Sequence, residues 1–200
     1  ALFVAPVFGR VPLPCLAGAD LRVQSPLICM MNRQYVTPKM SVVAYDLSRH
    51  MARTHPDTQT RALDGNFPFW TGFPLLPHLS HDDGEKLDLA LYWRDATGVY
   101  QSGLSKSPLG YWGYADGPSD CPATHLDLRW DMPWLQDWRD DWVVDAPRQQ
   151  EALRFLAQDP RISKILIEPH LERSLKVASG KIRFQGCRPA RHDDHIHIQL

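Results

Sequence analysis

The sequence predicts an α+β domain, with a mainly antiparallel central sheet, helices packed on one side of it, and long loops. Three observations carry that reading. The tail from His195 to Leu200 alternates polar and apolar, the period-2 pattern of a strand. Leu87-Asp88-Leu89-Ala90-Leu91 reads as a second strand, with Asp88 leaving it from one face. Met40, Val43, Ala44, Leu47 and Met51 recur at spacings of three and four, the stripe of an amphipathic helix.

Two hundred residues with 44% hydrophobic content are enough for one domain with its own core, so 1–200 is read as a single unit. A net charge of -1 gives no electrostatic reason to expect nucleic acid or an anionic membrane as partner. The chain has no run of about 18 apolar residues, so no transmembrane segment is expected. It shows no initiator Met and no signal-peptide pattern, which leaves open a segment ahead of Ala1, an export signal or anchor included. Cys15, Cys29, Cys121 and Cys187 lack Cys-x-x-Cys spacing, against a zinc ribbon or thioredoxin-type motif. Their even number admits two disulfides in any of three connectivities, or four buried thiols.

In chain order, residues 1–36 are apolar and proline-punctuated and read as an irregular wrapping segment or edge strands. Thr37 reads as the N-cap of the helix, with Pro38 at its first position and an end before Pro56. His50 and His55 read as ordinary late-helix histidines. Arg61 to Phe69 reads as strand and turn, with Asp64-Gly65-Asn66 as the turn signal. Residues 94–122 form a long loop that follows directly from the Asp88 strand, which places it near the rim of any site there. In it, Tyr111, Trp112 and Tyr114 either stack on sugar rings, line a peptide groove or pin the loop to the body. Trp130, Trp134, Trp138 and Trp142 recur every four residues and predict one helix stripe facing the core, with Asp131 as cap and Pro133 in the first turn. Asp145, Pro147 and Glu151 open a further helix burying Leu153, Leu156 and Ala157, and Ile165-Leu166-Ile167 is a short apolar strand.

On the tail strand, His195 and His197 share one face and Ile196 and Ile198 the other. Two imidazoles on rigid backbone make half of a metal site. Upstream lie His81 and, seven residues on, Asp88, with Gly84 between them where a bend brings both onto one centre. His81, Asp88 and His197 would supply two nitrogens and one carboxylate oxygen. Three protein ligands leave a fourth position open, the arrangement of a catalytic zinc, one per chain.

The pattern His-x6-Asp followed far downstream by His-x-His resembles the zinc peptidases grouped with lysostaphin, the D-Ala-D-Ala metallopeptidases and the hedgehog amino-terminal domain. Within that group the chain most resembles the penicillin-insensitive murein endopeptidases. His78, His81 and Gly84 match their His-x-x-His-x-x-Gly, and Arg188, Pro189, His192, Asp193, His195 and His197 match their final motif. Asp159-Pro-Arg-Ile-Ser-Lys-Ile-Leu-Ile-Glu-Pro-His-Leu is similar to the strand that precedes that motif. The likeness covers about residues 75–91 and 125–200.

The resemblance implies zinc-dependent hydrolysis of a peptide bond in peptidoglycan stem peptides, the D-Ala–diaminopimelate crosslink above all, in the periplasm or elsewhere in the envelope. It favours disulfides for the four cysteines. No His-Glu-x-x-His motif supplies a base, so His195, beside His197, is the first candidate, with His192 as the second flanking histidine. Asp194 stands three before His197, where the related dipeptidases carry a glutamate base, although strand alternation points it away from His197. His78 and Asp193 are read as orienting the ligands, and Arg188 as binding a substrate carboxylate or forming a structural salt bridge. Ser105-Lys106 and Ser174-Leu-Lys176 do not make a Ser-x-x-Lys nucleophile. The other functions open to this pattern are a D-Ala-D-Ala carboxypeptidase or envelope-attacking toxin, and a zinc-bearing binding module.

Overall fold

The computed structural model describes residues 1–16, 18–122, 128–130 and 132–200, with the backbone alone at Asp137. A 3-10 turn, Ala5–Phe8, precedes β1 (Val11–Pro12), β2 (Leu21–Val23), α1 (Pro26–Met30) and β3 (Tyr35–Val36). Then come α2 (Pro38–Thr54), β4 (Thr60–Ala62), β5 (Lys86–Ala90) and β6 (Trp93–Arg94). After the long loop follow α3 (Pro133–Gln136), β7 (Val143–Val144), α4 (Ala146–Gln158), β8 (Lys164–Leu166), α5 (Pro169–Leu175), β9 (Ile182–Arg183) and β10 (His195–Gln199).

The α+β class holds, and the main sheet has six strands in the order β2-β4-β5-β10-β8-β9. Its three central pairings are antiparallel, but β2 pairs β4 and β8 pairs β9 in parallel. The expectation of a mainly antiparallel sheet is therefore corrected at both edges. Parallel neighbours need a crossover, and here α2 lies between β2 and β4, and α5 between β8 and β9.

The helices form where local chemistry starts them. Thr37 Oγ1 accepts the Met40 N–H at 3.3 Å, and α2 buries Met40, Val43, Ala44, Leu47 and Met51. Asp145 accepts the Arg148 N–H at 3.1 Å and starts α4, which buries Leu153 and Leu156 but leaves Ala157 partly exposed. These side chains share one core with Leu87, Leu89, Ile196 and Ile198 of the central strands. Each fully buried residue of this kind contributes roughly 1.5–3 kcal/mol. His50 bonds Glu151 at 2.6 Å and stacks on Phe155, joining α2 to α4.

Of the two readings of residues 1–36, the edge strands hold, since β2 is an edge strand of the main sheet and Val11 pairs with Val36. Two expectations need correction. Asp64-Gly65-Asn66 is not a turn: Gly65 and Asn66 donate to the carbonyls of Arg33 and Tyr35, so this stretch runs as a bracket beside β3. The tryptophans do not form a core stripe. Trp142 is buried, but Trp130, Trp134 and Trp138 are 42%, 67% and 59% exposed. A stripe at every fourth residue requires an unbroken α-helix, and α3 gives way after Gln136 to a 3-10 turn over Asp137–Arg139. The proposed cap Asp131 lies outside the described residues.

Two disulfides resolve the connectivity, Cys15–Cys29 and Cys121–Cys187. The second ties the end of the long loop to the start of the final motif. Among the described residues, no helix is long and apolar enough to cross a membrane.

Candidate metal centre

In the antiparallel pairing of β5 with β10, His197 stands directly opposite Asp88 and His195 opposite Ala90. Alternation puts Asp88, His195 and His197 on the face away from Leu87, Leu89, Ile196 and Ile198. His81 reaches the same face through a turn in which its N–H bonds the His78 carbonyl at 3.0 Å. Gly84 then returns the chain to β5. Its φ of +86° suits glycine, a Cβ there would lie 2.5 Å from the Arg10 guanidinium, and its N–H donates to Asn66 Oδ1 at 2.9 Å.

The outcome is a triangle of donor atoms. His81 Nε2 lies 3.0 Å from His197 Nδ1 and 3.1 Å from Asp88 Oδ1, and His197 Nδ1 lies 2.9 Å from Asp88 Oδ1. All three residues are buried, and the group can hold a metal ion. Tetrahedral zinc with bonds of about 2.0–2.1 Å separates its donors by roughly 3.3–3.4 Å, so the triangle would open by only a few tenths of an ångström. The His81 tautomer suits a ligand as well. Nδ1 lies 2.7 Å from the Gly65 carbonyl, which only accepts, so Nδ1 carries a proton and Nε2 is the nitrogen a metal would take, in place of the second proton that Asp88 favours on this buried ring.

A second group, His78, Asp88 and His195, also gathers three donors. It is the weaker metal site because His78 Nδ1 faces two carboxylates, Asp64 Oδ2 at 2.9 Å and Asp88 Oδ2 at 3.2 Å. A nitrogen between two acceptors holds a proton there, not a lone pair. His78 thus bridges Asp88 to Asp64, and Asp64 in turn takes two bonds from Arg33, at 2.7 and 2.5 Å.

His195 stands beside this centre as half of a dyad. Its Nδ1 bonds Asp194 Oδ1 at 2.5 Å, while Nε2 is buried without a hydrogen-bond partner, 3.6 Å from Asp88 Oδ2. The Asp194 carboxylate thus turns to His195 and not to His197. His192 packs its ring 4.9 Å from that of His195 and 5.8 Å from that of His197. Asp193 pairs with Arg191 at 3.0 and 2.5 Å and bonds none of His81, Asp88 and His197. Arg188 is exposed and forms no ion pair with the described residues; it lines the cleft beside His192 and His197.

Electrostatics follow from burial and these neighbours. Burial opposes ionisation of Asp88, yet the charges of His81, His195 and His78 hold its pKa well below the ordinary value. Burial likewise opposes ionisation of Asp64, and the Arg33 and His78 bonds override it, bringing Asp64 to about 2. Burial lowers His197 to about 4 and puts His192 well below 6.5, the latter helped by His195 and His197. In His195 burial is outweighed by Asp88 and Asp194, which raise it to about 9. Burial, then Asp64 and Asp88, push the Tyr111 hydroxyl well above 10.

The cleft has two lobes. One is largely apolar, walled by Leu27, Ile28, Leu76, Trp112 and Trp130, and ends on His195. The other carries Ser80, Gln185, Arg188 and His192 among apolar neighbours and ends on His81 and His197. The sequence reading did not place Asp64, Arg33 or the Gly65 carbonyl at the site. They have no local signature, because each acts through a contact distant in sequence. In the sequence Tyr111 shows only as one of three loop aromatics. No protein-family model matches the chain, and no curated protein matches it.

Proposed function

We propose that the chain is a zinc-dependent peptidase of the lysostaphin, D-Ala-D-Ala metallopeptidase and hedgehog group. On this reading it cuts peptide bonds in peptidoglycan stem peptides, most specifically the D-Ala–diaminopimelate crosslink. One observation carries it: a preformed triangle of two imidazole nitrogens and a carboxylate oxygen lies beside a buried His195 Nε2 that has no hydrogen-bond partner. His81 Nε2, Asp88 Oδ1 and His197 Nδ1 would hold the metal. Zinc bound there supplies a Lewis acid and lowers the pKa of a water to about 7.

The rest falls to the protein. Asp194 fixes the His195 ring through Nδ1; Asp88 and Asp194 hold that ring charged in the metal-free chain, and a cation on Asp88 would offset this and free Nε2 to take a proton from the attacking water as its oxygen adds to the peptide carbonyl carbon. The same nitrogen returns the proton to the departing amine as the C–N bond breaks. Arg188 offers an exposed guanidinium to a stem-peptide carboxylate in the part of the cleft beside His192 and His197. The two disulfides support an oxidising, envelope location.

The test is digestion of crosslinked muropeptide dimers, read by mass spectrometry. Cleavage should proceed in penicillin, since no serine acyl-enzyme is needed, and stop with a zinc chelator. Intact dimers together with loss of terminal D-Ala from pentapeptide stems would replace this reading with a carboxypeptidase. If metal-loaded protein leaves both substrates untouched, the zinc-bearing binding module takes its place.

A further inference from the structure

Asp88 has two oxygens, and only Oδ1 belongs to the donor triangle. Oδ2 accepts the Tyr111 hydroxyl at 2.9 Å, with His78 Nδ1 3.2 Å away. The Tyr111 oxygen is itself held, because it accepts the Asp64 N–H at 2.9 Å. A carboxylate turns easily about its last bond, so an unpinned Asp88 would present either oxygen, or both, to a cation. The next residue repeats the arrangement on the other carboxylate. The Trp112 N–H donates to Asp194 Oδ2 at 2.5 Å, and Asp194 Oδ1 holds His195 Nδ1 at 2.5 Å.

The loop is built to hold these two residues in place. Trp112 sits at φ +62°, the left-handed region that costs an L residue energy and persists only when its surroundings enforce it. Gly110 has φ +93°, and a Cβ there would lie 2.3 Å from Leu63 Cδ2. The Ser107 hydroxyl donates to the Tyr111 carbonyl and accepts the Gly110 N–H at 3.1 Å. The Ala115 N–H donates to the Asp193 carbonyl at 2.7 Å.

We infer that Tyr111 and Trp112 are positioning residues forming one clamp: the Tyr111 hydroxyl restricts Asp88 to one-oxygen metal ligation, and the Trp112 N–H fixes Asp194 and, through it, His195. This rests on the metal-site reading above. It places the long loop, which shares none of the quoted family motifs, in control of both halves of the centre.

The experiment is chelator competition for zinc on the full chain, comparing wild type with Tyr111→Phe. Groups that orient metal ligands typically contribute 10- to 100-fold in affinity, and a zinc Kd weaker by that factor is expected, with one zinc still bound per chain. Cobalt substitution gives a second readout: with the Tyr111 bond gone and only the longer His78 contact at 3.2 Å left on Oδ2, Asp88 can turn to bind through both oxygens, so the d–d bands should weaken as a fifth donor enters. Gly110→Ala disturbs the loop without removing any donor and should also weaken the zinc Kd. Trp112→Gly keeps the N–H and accepts the positive φ, so its zinc Kd should stay within about twofold of wild type. A merely structural Tyr111 would lower the melting temperature of the chelated protein and leave the zinc Kd and cobalt bands unchanged; that result overturns the clamp. Loss of zinc by Trp112→Gly would make the indole, and not the backbone, the holding group; the link to Asp194 and His195 is read in the His195 imidazole NMR signals, which should shift in Gly110→Ala as the Trp112 N–H moves, and signals unchanged from wild type overturn that half of the clamp. Failure of wild type to bind zinc overturns the metal site itself and is seen in the wild type alone.

Discussion

Zinc removal should lower the melting temperature by an amount that binding linkage makes calculable. Asp88 and His197 are 109 residues apart in sequence and meet in the central strand pair, so a cation held between them binds the folded chain and not the unfolded one. The donors already stand 2.9–3.1 Å apart and the His81 tautomer is set, so little rearrangement opposes binding. At free zinc 1,000 times Kd, linkage stabilises the fold by about 4.1 kcal/mol. At about 2–4 °C per kcal/mol for a chain of this size, that is a shift of roughly 8–16 °C. The metal-free chain should still fold, because His197 Nδ1 can donate to Asp88 in the absence of an ion. The assay is thermal unfolding with and without chelator over a zinc titration, with metal content measured in parallel. His197→Ala should hold little metal and lose the shift. A melting temperature that does not move when wild type is verifiably stripped, or a full shift in His197→Ala, would refute the reasoning.

Two further predictions concern neighbouring groups. His195→Ala keeps the donor triangle, so it should retain zinc yet lose hydrolysis roughly 100- to 10,000-fold; metal loss in this variant would make His195 a ligand, and wild-type turnover would remove it from the chemistry. Asp64 has a folded pKa of about 2 against an ordinary 3.8, so its contribution is complete above 3.8 and is lost as pH falls through about 2. That contribution is about 2 kcal/mol. The stability gap between wild type and Asp64→Asn should therefore be full at pH 5 and shrink by pH 2.5 in urea titrations, and a gap independent of pH would contradict the assignment.

Much of the site's framework was legible in the sequence because it depends on local rules. Strand alternation alone puts His195 and His197 on one face and Ile196 and Ile198 on the other. The Thr37 and Asp145 caps, the α2 stripe and the bend at Gly84 likewise follow from residues within a few positions of each other. The tryptophan spacing misled because periodicity reports a face only while the helix continues, and here it stops after Gln136. Tertiary structure alone decided the register that sets His197 against Asp88, the crossovers that make both sheet edges parallel, and the pairing of the cysteines. It also decided which Asp88 oxygen faces the donors, since Tyr111, His78 and Asp64 act on that carboxylate from three separate segments. A pattern in sequence states which side of its own strand or helix a residue occupies; which partner meets it there is set by packing between elements distant in the chain.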